Sequence, residues 1–333
     1  MVKIESISGN EACMGKALVS YLREKAWIVK EQPLESNKKR FNILATRKEV
    51  TGKGPKFLFN SHLDTVPPFL NVSSDAKNVY GRGANDAKGQ LACAIKAAER
   101  LITESQEIAD EIGLLFVVGE EVDHIGIIEA NKLNLQPEYF FVAEPTAMKF
   151  ALLQKGVVKL IIKAHGKAAH SGYPELGVSA IEKLLDILDD LRHHHWPSDQ
   201  KLGNTTMNIG LIKGGQAMNI VPAEAQASIM FRIIRSATEI QQKVKEIVGN
   251  RADIEFLGYN DPVTFSEPPT GYPTVVVAYN TDFPYFDNRD KLKAAFLFGP
   301  GNTSAHTLRE FISIQELEEA IDVHVDIARK MLA

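Results

Sequence analysis

Two histidines and a set of scattered carboxylates are the residues of this chain that could do chemistry. His62 and Asp64 stand two apart, straight after the apolar run Phe57-Leu58-Phe59. Side chains alternate along a strand, so the imidazole and the carboxylate share one face if the extended geometry continues. Such a pair is either a histidine steadied by a neighbouring acid or a metal ligand whose second ring nitrogen is oriented by a carboxylate. Further acids follow the same grammar of apolar run, then polar residue. Glu120 and Glu121 come directly after Leu114 to Val118, and Glu144 lies in Ala-Glu-Pro-Thr after Tyr139 to Val142. Asp86 closes Gly81-Arg-Gly-Ala-Asn-Asp86 ahead of a helical pattern, and His306 follows Gly299-Pro-Gly-Asn302. Carboxylates converging on one crevice raise one another's pKa steeply, and a divalent cation removes that penalty. Mixed imidazole and carboxylate donors suit zinc, with cobalt or manganese as alternatives, and one histidine per metal with a shared carboxylate makes a two-metal site. Successive strand residues face opposite ways, so in Glu120-Glu121 one carboxylate can ligate a metal while its neighbour serves as general base.

The elements that must position these groups alternate. Strand-like runs at 56–60, 113–118 and 139–142 are separated by helical spacing at 87–101 and 125–132. This pattern predicts an α/β layer with a mixed, largely parallel sheet, whose chemistry gathers beyond the carboxyl ends of the strands. Ser8-Gly-Asn-Glu11 has the form of a capping box for a helix carrying Met14, Leu18 and Leu22, and Ser313-Ile-Gln-Glu316 of one opening a closing helix to Met331. After residue 155 the order becomes strand, helix, strand, strand, helix, the mark of a small α+β unit with helices on one face of an open antiparallel sheet. The α/β pattern resumes with strands at 274–279 and 294–298. The expected organisation is a discontinuous catalytic domain, residues 1–154 and 264–333, with residues 155–263 inserted in it.

Composition excludes several classes. The chain has 333 residues, 44% hydrophobic and 24% charged, with a net charge of −4, which leaves no basic footprint for nucleic acid. No apolar run reaches transmembrane length, and the start lacks a secretory pattern, so a cytoplasmic location is expected. Cys13 and Cys93 show no ligand spacing and are expected to be buried small apolar groups. His193-His194-His195 follows a helical segment and is expected to be solvated loop. His124 sits close enough to the Glu pair either to support it or simply to be exposed, while His165 and His324 look like ordinary strand and helix residues.

Taken in order, His62-Leu-Asp64-Thr-Val, Gly81-Arg-Gly-Ala-Asn-Asp86-Ala-Lys-Gly, Gly119-Glu120-Glu121, Ala143-Glu144-Pro-Thr and Gly-Pro-Gly…Ala-His306 resemble the M20 metallopeptidase family of deacylases, desuccinylases, carboxypeptidases and aminoacylases. The resemblance implies a zinc-hydrolase-type catalytic domain with an inserted lid and dimerisation domain. It implies that His62, Asp86 and Glu144 hold one metal and Asp86, Glu121 and His306 the other, with Asp64 orienting His62 and Glu120 as general base. Gly166-Lys-Ala-Ala-His170-Ser-Gly resembles the lid segment whose histidine reaches a neighbouring subunit's site in a homodimer and steadies the oxyanion. Asn219, in Gly214-Gly-Gln-Ala-Met-Asn219, resembles the loop asparagine that touches substrate, and Arg232 the arginine that pairs with a substrate carboxylate. The implied reaction is hydrolysis of an N-acyl group from a small amino acid, acetylornithine or acetylcitrulline first. Succinyl-diaminopimelate desuccinylase, or a dipeptidase or carboxypeptidase, is the alternative, and a non-catalytic binding relative is the rival from another class. Met230-Phe231-Arg232, Asn302 and Thr307-Leu-Arg309-Glu310 depart from the family pattern and bear on substrate identity, leaving the ligands and the base intact.

Overall fold

The computed structural model describes residues 1–200 and 202–333. The chain forms two compact units, one of residues 1–152, 265–275 and 281–333, the other of residues 153–264 and 276–280.

The first unit is built on six strands: β1 (Ile28–Pro33), β2 (Phe41–Thr46), β3 (Phe57–His62), β4 (Ile112–Val117), β5 (Tyr139–Val142) and β6 (Ala294–Leu297), in the spatial order β1-β2-β4-β3-β5-β6. The four strands at the β6 end run parallel, and β2 and β1 continue the sheet antiparallel. Every residue of β3 and β4 is buried, which is why β4 and the first half of β3 read as apolar runs and not as alternating patterns. Helices α1 (Ala12–Glu24), α2 (Lys88–Glu104), α3 (Ile125–Ala130) and α4 (Ile314–Leu332) accompany the sheet. In α4 the residues Ala320, His324, Ile327 and Ala328 are buried, a stripe at helical spacing. That stripe joins Phe59, Phe141, Phe150 and Phe298 in one core. Burying each phenylalanine ring contributes about 2–3 kcal/mol, enough to hold strands whose ends carry charge.

The strand at 274–279 is observed as Thr274–Val277 and is not one of the six. β1 and β2 went unanticipated. Ser313 caps α4, accepting from the Glu316 amide at 3.3 Å, as its spacing predicts. Ser8 does not cap α1, which begins at Ala12 without a side-chain cap, and its hydroxyl is used elsewhere. Cys93 is buried, whereas Cys13 is exposed, because it falls on the outer face of α1 opposite Met14 and Leu18.

The second unit is a four-stranded antiparallel sheet in the order 206–214, 224–233, 156–165, 252–260. Burial alternates along 224–233, because the helices Ala180–His193 and Ala237–Val248 cover one face only. The strand Ala252–Asn260 adds an element that the sequence pattern did not predict. Thr206–Gly214 is an edge strand that exposes Leu211 and Ile212. Among the described residues no helix is long and apolar enough to cross a membrane.

Candidate metal centre and active site

β3 ends on His62, whose ring is buried and fixed from both sides. Nδ1 lies 2.9 Å from the Asp64 backbone carbonyl and 3.5 Å from Asp64 Oδ1, so the main chain is the nearer anchor and the carboxylate the second. Nε2 faces Asp86 Oδ1 at 3.0 Å and Glu144 Oε1 at 3.5 Å. The Asp64 carboxylate is wholly buried. It accepts from Ser8 Oγ at 2.7 Å and from the amides of Glu120 at 3.1 Å and Glu121 at 3.3 Å. Asp64 thereby ties the end of β3 to the turn that follows β4.

That turn resolves the geometry of the adjacent glutamates. Gly119 adopts φ +77, and the amides of Asp123 and His124 return to its carbonyl at 3.1 and 2.8 Å. Glu121 is thus brought to His306, whose Nε2 lies 3.0 Å from Glu121 Oε2 and 3.4 Å from Asp86 Oδ2. Glu120 stays on the other side, 9% exposed, with His124 Nδ1 at 3.9 Å from its Oε1. Asp86 precedes α2, and its amide, with those of Gly83 and Asn85, donates to the buried Glu310 carboxylate at 2.9–3.1 Å. Arg82 pairs with the same carboxylate. The loop of Asp86 and the segment of His306 are further joined by Asn85 Nδ2, which donates to the Asn302 carbonyl at 2.7 Å. At Gly301, φ is +117 and an added Cβ would lie 1.9 Å from Asn85 Oδ1, so only glycine lets the two loops meet.

His62, Asp86 and Glu144 form one group of potential ligands and Asp86, Glu121 and His306 a second, with ligand atoms inside each group within 4.8 Å of one another. Asp86 belongs to both. The electrostatics follow from crowding. Burial pushes Glu144 up to about 7, and burial with the neighbouring Asp282, Glu144 and Glu121 charges drives Glu120 well above the usual carboxylate range despite His62. Burial raises Glu121 as well, and Asp86 adds to it. Burial alone would lower His62, yet Glu144, Asp64 and Asp86 outweigh it and raise the imidazole. His306 is pushed up to about 10 by hydrogen bonds to Asp86 and Glu121. Burial opposes the charge on Asp86, but His306 and His62 hold it below its ordinary value. Without cations, the excess negative charge thus holds protons on two imidazoles. Two imidazoles and three carboxylates with one carboxylate shared also form a donor set that fits a pair of divalent ions.

The other three candidates belong to the second unit. His170 and Asn219 come together in the short pairing of Ala169–His170 with Ile220–Val221, where the Ser171 amide donates to the Asn219 carbonyl at 3.0 Å. Both side chains are exposed, and His170 Nδ1 accepts from the Gly172 amide at 3.0 Å. Arg232 is half-buried on the strand Glu224–Ile233. His193, the last residue of its helix, and His195 are exposed, whereas His194 is half-buried with its ring 4.7 Å from that of Trp196, so the tract is a solvated loop only in part. His124 is not exposed: at 7% exposure its Nδ1 lies 3.0 Å from Asp282 Oδ1 and its ring stacks on Tyr285. Asp282, 2% exposed, gave no sign in the sequence, being a single acid in a mixed loop 158 residues from its partner.

Carboxylates and imidazoles gathered at the ends of parallel strands, with a buried glutamate beside them, define a metal-dependent hydrolase. A family model described as the peptidase dimerisation domain matches residues 152–254, and that of peptidase family M28 matches residues 42–139, the stretch from β2 to the start of β5. A peptidase M20 domain-containing protein of Schizosaccharomyces pombe is 38% identical over 326 residues, spanning 97% of this chain and 80% of the relative. A Paracoccidioides brasiliensis protein named "Probable carboxypeptidase" is 36% identical over 366 residues, spanning 96% of this chain and 81% of its own. The crystal structure of a tripeptidase from Staphylococcus aureus shares the fold, with a TM-score of 0.80, 24% identity and coverage of 98% of this chain and 96% of that one. The chain belongs to the M20 peptidase family, whose members hydrolyse amide or peptide bonds.

Proposed function

We propose that this protein hydrolyses the amide bond linking an acyl or aminoacyl group to a small amino acid that keeps its free carboxylate. The sharing of Asp86 between two ligand groups, beside the buried Glu120, carries this reading. The carboxypeptidase name of a 36% identical relative supports peptide substrates with a free carboxylate, beside acetylornithine, acetylcitrulline and succinyl-diaminopimelate in the same chemical class.

His62, Asp86 and Glu144 would hold one divalent ion, and Asp86, Glu121 and His306 the other, with zinc best suited and cobalt or manganese as alternatives. When bound, the pair supplies a nucleophilic water at neutral pH and polarises the scissile carbonyl. Glu120 takes the proton of the attacking water and returns it to the leaving amine, work that its raised proton affinity fits. Asp64 holds His62 through its main-chain carbonyl and its carboxylate, and holds the Glu120-Glu121 turn through the two amides that donate to that carboxylate. His170 accepts a hydrogen bond at Nδ1, so its proton sits on Nε2, free to donate to the developing oxyanion of a second subunit's substrate. Asn219 and Arg232 hold the substrate carboxylate, so that binding away from the reacting bond orients it. The homodimer would form through the second unit, whose edge strand Thr206–Gly214 exposes Leu211 and Ile212, and the protein would work in the cytoplasm.

The test is a panel of N-acetyl, N-succinyl and dipeptide substrates with zinc, cobalt or manganese, assayed with the wild type and Glu120→Gln. The variant should bind as much metal as the wild type and lose at least about 10³-fold in kcat, the scale at which a general base and its water are removed. Near-normal turnover by Glu120→Gln would reject the base. Turnover of no amide by the metal-loaded wild type would reject the hydrolase.

A further inference from the structure

The Glu120 carboxylate accepts no hydrogen bond among the described residues, although it is a long side chain that must be aimed at one water. The group nearest to holding it is a built one. His124 Nδ1 is 3.0 Å from Asp282 Oδ1 and 3.9 Å from Glu120 Oε1, and all three residues are buried. Since a carboxylate only accepts, Nδ1 carries the proton and donates it to Asp282. The ring has little freedom. Its face stacks on Tyr285 with centroids 4.3 Å apart and planes inclined by 20°, and its own amide donates to the Gly119 carbonyl at 2.8 Å. Asp282 and Tyr285 come from one turn, closed by the Tyr285 amide on the Asp282 carbonyl at 3.0 Å, so a single short segment grips the imidazole by edge and face. Burying a carboxylate and an imidazole here is costly unless their mutual hydrogen bond is kept; the pair is outside the two groups that share Asp86, and with Glu120 it forms a separate cluster whose ligand atoms lie within 4.8 Å of one another.

We propose that His124 and Asp282 are positioning residues for Glu120: Asp282 fixes the His124 ring so that its Nδ1–H forms the wall against which the base carboxylate is set. This rests on the reading of Glu120 as general base. At 3.9 Å the contact is longer than a hydrogen bond, so the ring edge acts on Glu120 as a polar wall while its N–H stays on Asp282. An error of 1 Å in a catalytic group costs on the order of 10²-fold in rate, which sets the effect to look for.

Metal-loaded enzyme, assayed on whichever panel substrate the wild type turns over best, provides the test. His124→Phe keeps a ring on Tyr285 and deletes the donor. His124→Asn puts an amide N–H near the position of Nδ1, and asparagine tolerates the left-handed backbone, φ +57, of this residue. Expected are a fall of about 10- to 100-fold in kcat for His124→Phe and Asp282→Ala, with KM within about twofold and metal content unchanged, and recovery by His124→Asn and Asp282→Asn to within about threefold of wild type. Unchanged kcat in His124→Phe, equal impairment of the Phe and Asn variants, or loss of metal would each overturn the proposal. A readout free of turnover covers a variant that fails to fold. In wild-type protein labelled with 15N-histidine, the His124 Nδ1–H resonance should lie downfield and move in Glu120→Gln, and an unmoved resonance also overturns the pair. Retained activity in Glu120→Gln strikes the base assignment instead, so the two failures are distinguishable.

Discussion

Asp64 is the residue on which the site is hung. Its main-chain carbonyl and carboxylate both face His62, and the carboxylate also gathers Ser8 Oγ and the amides of Glu120 and Glu121. Ser8 is therefore a support of the site and not of a helix, which makes a discriminating variant. Ser8→Ala should lower kcat several-fold by loosening Asp64, while far-ultraviolet circular dichroism shows α1 intact. Loss of α1 signal with normal kcat would return Ser8 to the capping role. The five proposed ligands and Glu120 were legible because each stands at the end of an apolar run or beside glycines that force a loop. Asp282 was not, since nothing local distinguishes an acid that pairs with His124 from one that faces water. Ser8 was misread for a related reason: serine followed three residues later by glutamate is a cap only if the helix begins there, and here Glu11 is drawn instead to Arg40.

The elements were legible where burial is uniform or one-sided. β3, β4 and β5 are short apolar runs bounded by polar residues, and the helix Ala180–His193 buries Ala180, Leu184, Ile187, Leu188 and Leu191 at regular spacing. β1 was illegible because it is an edge strand, Ile-Val-Lys-Glu-Gln-Pro, mostly exposed and closed by a proline that only an edge accommodates. Ala252–Asn260 was illegible because an edge strand half-buried at best carries Asp253, Glu255 and Gly258. Its register is fixed instead by pairing with 156–165. Ser313 gives the contrast to Ser8 at this scale. It caps α4, the helix that carries His324 into the core and whose Glu316 carboxylate accepts from the Gly301 amide at 3.1 Å. Ser313→Ala should cost about 1 kcal/mol in chemical denaturation. Because Gly301 lies in the loop that leads to His306, the same variant should weaken metal retention; unchanged stability would show that the cap is idle.

At the scale of the whole molecule, the same burial that orders the core makes it sensitive to acid. His324 is 0% exposed, lying against Phe59, Phe141 and Phe298 at ring separations of 5.7, 4.6 and 5.8 Å. Nδ1 donates to the Ala320 carbonyl, and Nε2 has no partner among the described residues. Burial therefore pushes its pKa down to about 4, against about 6.5 in an unfolded chain. Above pH 6.5 the ring is neutral in both states and contributes no pH dependence. As pH falls from 6.5 towards 4, the unfolded chain takes up a proton that the folded one refuses, so stability drops through that window. Between pH 7 and pH 5 the loss amounts to about 2 kcal/mol from this one residue. His62, His306, Glu144, Glu120 and Glu121 act in the opposite sense, since their raised values favour the folded metal-free state as pH falls, and a wild-type titration alone would mix them with His324. The isolating comparison is wild type against His324→Leu, both freed of metal by a chelator and unfolded in urea at pH 7 and pH 5. The wild type should lose about 2 kcal/mol more than the variant on going to pH 5, because only the histidine chain carries the buried titration. Equal losses in the two proteins would mean that His324 reaches water or a partner before the chain unfolds, and that the aromatic core around it is looser than its packing indicates.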